Sequence, residues 1–281
     1  MINFKKVAFS FISVLMITQV IIGQHYKAMS FNIRYDNTWD KEHSWHDRKQ
    51  GVINILKKYK LDVFGIQEGL LNQVNYIAKN LKDYHYIGVG RDDGKTKGEY
   101  SPLFYNYKKF ELLQSGTFWL SKTPEKPSKG WDAALNRICT YGLFMLHKAG
   151  DEFWVFNTHF DHKGSVARLN SAQLILDKIR TLNTNNYPVI LMGDFNDTPD
   201  KAPIKLLKDN LIDAKIIAKN TFNGSGGTFN GFNNLQTKTR IDYFFVKKVK
   251  VLKYTHVTQM SANNKFVSDH FPIFIRFDLE K

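Results

Sequence analysis

Eight side chains able to bind a cation, move a proton or grip a phosphate stand at the ends of strand-like apolar segments. Asn32 lies near the end of the first segment. Glu68 ends the second, in Gly65-Ile66-Gln67-Glu68. His159 ends another, in Asn157-Thr158-His159-Phe160-Asp161. Asp194 and Asn196 follow the Val189 segment, in Gly193-Asp194-Phe195-Asn196-Asp197. Asp242 sits in Arg240-Ile241-Asp242-Tyr243, and Asp269 and His270 precede the last segment in Ser268-Asp269-His270-Phe271-Pro272. Taken singly, each is an ordinary turn or capping residue. Gathered at one sheet edge, they form an oxygen-rich set with two imidazoles. Mg²⁺ takes such a set, since one or two carboxylates plus an amide suffice when several waters stay bound. Imidazoles and carboxylates are also the usual proton carriers. Cys139 is the only cysteine, so no internal disulfide forms, and the lack of a Cys/His cluster argues against a structural zinc site.

The elements that must position these residues alternate between strand and helix patterns. From Tyr26 to Tyr35 one parity is bulky (Met29, Phe31, Ile33) and the other small or polar (Ala28, Ser30, Asn32), which predicts a strand with one face in the core. Asp47 can cap a helix running to about Tyr59. Leu61 to Gln67 reads as a short buried strand, followed by a helix to about Leu81. Tyr84 to Gly88, Ser101 to Tyr107 and Thr117 to Leu120 are further strand candidates. Ile138 to His147 and Phe153 to His159 flank Ala149-Gly150-Asp151 as a hairpin. Leu169, Ala172, Leu176 and Ile179 give Ser165 to Leu182 a helical spacing. Val189 to Met192 is a buried strand, and Thr239 to Val246, Val249 to Val257 and Phe271 to Phe277 continue the β-pattern. The set predicts an α/β (α+β) chain with a two-sheet β-sandwich core flanked by helices.

Composition bounds the rest. With 281 residues, 43% hydrophobic and 23% charged, a disordered chain is excluded and a large single core is within reach. Lys5 and Lys6, the mostly apolar Val7 to Ile22 and the small Gly23 predict a signal peptide over residues 1–23, with one domain over 24–281. An uncleaved N-terminal anchor is the alternative. Processing would leave no membrane span, and the expected product is a secreted or periplasmic monomer. The formal net charge of +14 suits nucleic acid or another polyanion, although solubility alone also explains it.

In this order and with these neighbours, the eight residues resemble the endonuclease/exonuclease/phosphatase superfamily, the DNase I-like group. The resemblance runs from Met29 to Phe277, and the Gly-Asp-x-Asn and Ser-Asp-His segments are its most specific parts. Gly116-Thr117-Phe118-Trp119-Leu120-Ser121 and Gly130-Trp131-Asp132 look like a bacterial secreted subgroup. The resemblance implies a four-layer DNase I-like fold and a divalent cofactor, Mg²⁺ or Mn²⁺. It implies that Glu68 is the principal metal carboxylate, that Asn32 helps hold metal or its water, and that Asp242 lies near the metal. Asp194 and Asn196 then orient the nucleophilic water and the phosphate. His270, oriented by Asp269, and His159 would donate to the phosphate oxygens if cationic.

Three further residues are open to two readings. Arg137 is a phosphate contact or half of a structural ion pair, Tyr105 a phosphate contact or a core residue, and Trp131 a stacking platform or a loop anchor. The activity expected first is metal-dependent hydrolysis of a phosphodiester by activated water. A phosphomonoesterase on a sugar or inositol phosphate is the alternative, and a non-catalytic module on the same fold ranks last. Lys238-Thr239-Arg240-Ile241-Asp242 lacks the Pro-Ala-Trp-Cys-Asp-Arg-like stretch of inositol 5-phosphatases, which disfavours that subgroup. His159 disfavours exonuclease III-type enzymes, which lack its counterpart.

Overall fold

Successive side chains of the first strand enter different cores. In the computed structural model, which describes residues 25–280, this strand is β1 (Tyr26–Asn32). Ala28 packs with one apolar cluster and Met29 with another. Both faces are therefore buried, whereas the sequence pattern suggested only one. The small parity is small because a second sheet lies against it.

After β1, a short 3-10 turn (Lys41–His43) leads into α1 (Trp45–Tyr59). Ser44, rather than Asp47, caps this helix: its extended backbone precedes the first turn, and its hydroxyl accepts from the Asp47 amide at 3.4 Å. β2 (Val63–Gln67), α2 (Leu71–Asn80), β3 (Tyr84–Ile87) and β4 (Leu103–Asn106) follow. β5 (Phe110–Trp119), β6 (Ile138–Leu146) and β7 (Glu152–His159) form an antiparallel meander. Then come α3 (Ser165–Leu182), β8 (Val189–Asp194), α4 (Ala202–Asn210), β9 (Ile212–Asp213), α5 (Ala214–Ile217) and β10 (Asn220–Asn223). β11 (Asp242–Lys247), β12 (Val249–His256) and β13 (Ile273–Leu279) come last. The segment expected to be an export signal, residues 1–23, lies outside the described residues.

These strands make two mixed sheets. The seven-stranded sheet has the order β10-β12-β13-β1-β2-β4-β3, and the six-stranded sheet β5-β6-β7-β8-β11-β9. Val63, Phe144, Val155, Ile190, Phe244 and Ile275 belong to the apolar layer between them. Val52, Leu56, Val74 and Ile77 seat α1 and α2 on the outer face of the first sheet. Ala172, Leu176, Ile204 and Leu207 seat α3 and α4 on the second. The result is the two-sheet core flanked by helices expected from the pattern of elements, and the four-layer fold that the family resemblance implies.

The layer between the sheets changes character along its length. Toward the ends of β1, β2 and β7 it becomes polar. Gln67 Nε2 donates to Ser30 Oγ at 3.2 Å and Asn157 Oδ1 at 2.6 Å, and Asn157 Nδ2 donates to the carbonyls of Ile66 and Pro102. Gly65 permits this close approach, since a Cβ there would stand 2.4 Å from Asn157 Cγ. These buried amides tie the two sheets together in one register, although Gln67 Oε1 has no hydrogen-bond partner. They form the floor on which the strand-end residues stand.

Candidate active site

Strand pairing brings the polar ends together. Parallel β1 and β2 set Asn32 beside Gln67, so Glu68 follows at the same edge. Parallel β7 and β8 pair His159 with Asp194, and antiparallel β11 pairs Asp242 with Asp194. Arg34, Glu68 and Asn196, three of the ten non-glycine residues with positive φ among the described residues (57°, 63° and 50°), line one cleft. That cleft encloses about 480 Å³ and is lined by residues from both sheets, including Arg34, Glu68, His159, Asp194, Asn196, Asp269 and His270.

Asn32 Nδ2 donates to Glu68 Oε1 at 2.9 Å and to Asp194 Oδ2 at 3.0 Å, bridging the two carboxylates across the sheets. Arg34, held on Asp40 by two hydrogen bonds, places Nη1 4.0 Å from Glu68 and 3.9 Å from Asp269. Asp194 is pushed up to about 7 by burial and by Asp242. Asp269 is raised by burial and by Glu68, with His270 opposing. A cation beside them would offset both their burial and their mutual repulsion. Glu68, His159 and Asp194 present ligand atoms within 4.8 Å of one another. Carboxylates such as Glu68, Asp194 and Asp269 suit a hard divalent ion, whereas Asn32, whose Oδ1 accepts from the Arg34 amide, turns its Nδ2 to Glu68 and Asp194 and so positions them.

The two histidines differ. His270 Nδ1 stands 2.9 Å from Asp242 Oδ2, and its Nε2 lies 3.8 Å from Asp194. Burial alone would lower its pKa, but Asp242 and Asp194 outweigh burial and hold the ring well above the usual imidazole range. His159 is held well below that range, by burial first and then by Arg137 and Arg91. Its surroundings favour the neutral ring, whereas the sequence reading has it donating only if cationic. Its Nε2 is 3.0 Å from Asn196 Nδ2, which also donates to the Phe160 carbonyl at 3.0 Å. The carbonyl fixes the amide's orientation, so His159 accepts at Nε2 and carries its proton on Nδ1.

Several residues stand elsewhere than expected. Asp242, expected near the metal, makes the orienting bond to His270 that was assigned to Asp269, whereas Asp269 faces Arg34 and the Glu68 side. Asp269 lies in a bend and turns its carboxylate to Arg34 Nη1, 3.9 Å away, which leaves the ring of His270 to Asp242. Tyr105 is a core residue: it is buried with Val63 and Leu103 and packs on Phe144, away from the cleft lining. Trp131 does not line the cleft either. Its loop is anchored by Asp132, which accepts from the Val166 and Ala167 amides of α3. Arg137 does line the cleft and also makes the ion pair, 3.5 Å from Asp161.

Sequence reasoning missed Arg34, Glu99 and His162, which all line the cleft. Glu99 is paired with the buried Arg91 at 2.6 Å and lies 3.9 Å from His159 Nδ1. It lies on the loop between β3 and β4, not at a strand end. Arg34 is two residues past Asn32, and His162 three past His159.

The match to known proteins agrees with this geometry. The Endonuclease/Exonuclease/phosphatase family matches residues 29–270. The chain belongs to this family. As a member of the endonuclease/exonuclease/phosphatase family, it is a phosphoester hydrolase. A family protein of known structure from Bacteroides thetaiotaomicron is 37% identical, with a TM-score of 0.88, covering 92% of this chain and 99% of that one. The mannosyl-6-phosphatase Bt3783 of Bacteroides thetaiotaomicron VPI-5482 is 38% identical, with a TM-score of 0.86, covering 90% and 100%. The Saccharomyces cerevisiae protein NGL3, named a probable RNA exonuclease, is 31% identical over 179 residues, 57% of this chain but 33% of its own length.

Proposed function

We propose that this chain is a divalent-metal-dependent phosphomonoesterase that releases inorganic phosphate from a phosphorylated sugar. The observation that carries the chemistry is the pairing of a cationic His270, held by Asp242, with Asp194 across one small cleft. The size of the cleft is that of a small-molecule site. The full-length likeness to the mannosyl-6-phosphatase favours the monoester over the diester reading expected first. Among the described residues, no helix is long and apolar enough to cross a membrane.

Glu68 and Asp269 would hold the cation, Mg²⁺ or Mn²⁺, with Asn32 positioning Glu68 through its Nδ2. When bound, it neutralises phosphate charge and lowers the pKa of a bound water. Asp194, raised toward neutrality, accepts a proton from the attacking water, and Asn196 positions that water beside it. His270 faces the charge that builds on the non-bridging oxygens. Arg34 steadies Glu68 and Asp269. The export signal over residues 1–23 belongs to the same proposal, and a mature N-terminus near Gln24, found by mass spectrometry of the periplasm or medium, would support it.

Phosphate release from mannose 6-phosphate, glucose 6-phosphate and p-nitrophenyl phosphate tests the reading against cleavage of bis-p-nitrophenyl phosphate and RNA. Faster turnover of a sugar monoester than of either diester is expected. Diester cleavage without phosphate release from any sugar phosphate overturns the monoester reading.

A further inference from the structure

Two buried side chains reach from the helices into the backbone beneath the metal side of the cleft. Arg48, near the start of α1, is 3% exposed, and its guanidinium is satisfied by backbone carbonyls rather than by a carboxylate. Nε donates to His43 at 2.6 Å, Nη1 to Ile33 at 2.7 Å and Val267 at 3.0 Å, and Nη2 to Arg34 at 3.1 Å. The group stands 5.5 Å from the centre of the Phe232 ring, which stacks on His43 at 4.3 Å. A planar guanidinium offers five N–H donors in fixed directions, so it can hold several chain segments in one arrangement.

Gln73, buried in the first turn of α2, completes the hold. Its Oε1 accepts from the amides of Asp36 and Leu70, both at 3.0 Å, and its Nε2 donates to the Arg34 carbonyl at 3.0 Å. The Arg34 carbonyl thus takes a donor from each helix. Gln73 joins the turn of Arg34 to that of Glu68, which precedes Leu70 by two residues. Arg48 joins it to Val267, two residues before Asp269. Arg34 and Glu68 have left-handed backbone (φ 57° and 63°), which non-glycine residues keep only where their surroundings over-determine it. Neither Arg48 nor Gln73 lines the cleft, so each acts through the backbone that it holds.

We infer that Arg48 and Gln73 form a clamp that presets the turns of Arg34 and Glu68 and the bend of Asp269 before a cation arrives. Both are positioning residues. The sign of their effect separates geometry from charge. Burial lowers the pKa of Arg48 to about 10, so it remains a cation at neutral pH, in the field of Asp269 and Glu68. By charge alone it opposes a metal ion beside those carboxylates, and its loss would tighten metal binding. By geometry its loss frees the carboxylates to drift and weakens binding. Gln73 is uncharged, so its loss acts through geometry only. The inference deepens the metal-dependent reading and rests on it for the ion, but not for the hold on the backbone.

Mn²⁺ binding, read from the EPR signal of the free ion, tests the clamp without turnover. Arg48→Met and Gln73→Met are each expected to weaken it at least about tenfold. Val52→Ala, a core change in the same helix as Arg48, is expected to lower the melting temperature and leave Mn²⁺ affinity unchanged. Tighter binding in Arg48→Met, unchanged binding in a folded Gln73→Met protein, or an equal loss in Val52→Ala overturns the inference. Hydrogen exchange of the chelated wild type decides the matter even if neither clamp variant folds. Peptides spanning residues 33–36 and 267–270 are expected to be protected before Mn²⁺ is added and to change little afterwards. Protection that appears only with Mn²⁺ would make the cation the organiser and overturn the clamp. Protected turns in a wild type that takes up no Mn²⁺ would keep the clamp and reject the metal reading.

Discussion

His270 Nδ1 bonds Asp242 Oδ2 at 2.9 Å, although Asp269 is its neighbour in the chain. The pairing reaches from the approach to β13 in one sheet to the start of β11 in the other. Asp242 is therefore the charge that keeps His270 protonated, with Asp194 adding to it. Asp242→Asn is expected to lower the His270 pKa and to cut turnover by about 10²-fold. Asp269→Asn is expected to move that pKa less and to raise the metal concentration needed for half-maximal activity. Imidazole proton titration by NMR and metal titration of the rate separate the two.

His159 and His270 flank Asp194 at 3.5 and 3.8 Å. If both imidazoles touch the phosphoryl group, His159→Ala and His270→Ala each lower turnover by at least about 10²-fold. Steady-state kinetics paired with melting temperatures checks this. Near-normal turnover with lowered melting temperatures would reduce both histidines to structural roles.

Much of this site was legible because its residues sit at strand ends, where a two-sheet pattern forces convergence. Asn32, Glu68, His159 and Asp194 needed only the strand boundaries. The partners of the histidines did not follow, because contacts between sheets decide them: nothing local places Asp242 on His270. Glu99 and Arg91 arrive on a loop with no periodic signal to place it. Tyr105 was ambiguous because its parity on β4 matches Leu103, which faces the layer between the sheets. Whether that layer is polar or apolar at a given depth depends on Asn157 and Gln67, from two different sheets. The fold class needed less information, since apolar segments of period two and of helical period alternate along the chain.

Removal of divalent ions by exhaustive chelation is expected to abolish hydrolysis, and Mg²⁺ or Mn²⁺ to restore it. Glu68→Gln keeps the shape of the side chain while removing one ligand charge. Its activation curve is expected to shift to higher metal concentration and its maximum to fall. Full activity in the chelated wild type would contradict the ligand set around Glu68.

Away from the cleft, His256 offers a stability test. Its Nδ1 donates to the Ser225 carbonyl at 2.9 Å, and its Nε2 accepts from Tyr254 Oη at 3.2 Å, so the buried ring is satisfied only when neutral. Burial, the dominant cause, lowers its pKa to about 4 from an ordinary 6.5. The folded pKa lies below the unfolded one, so the unfolded chain binds more protons between these values. Stability from this residue is therefore intact above about pH 6.5 and falls as pH drops toward about 4, where the loss levels off. The shift corresponds to at most about 3 kcal/mol. His159 acts in the same direction, and the raised acids Asp194 and Asp269 act in the opposite one, so only a difference isolates His256. His256→Asn keeps a donor for Ser225 but cannot take a proton. Urea unfolding at several pH values, with chelator present so that metal binding adds nothing, is expected to show a flatter decline for this variant between pH 6.5 and 4. Parallel curves for wild type and variant would show that His256 does not resist protonation in the folded chain.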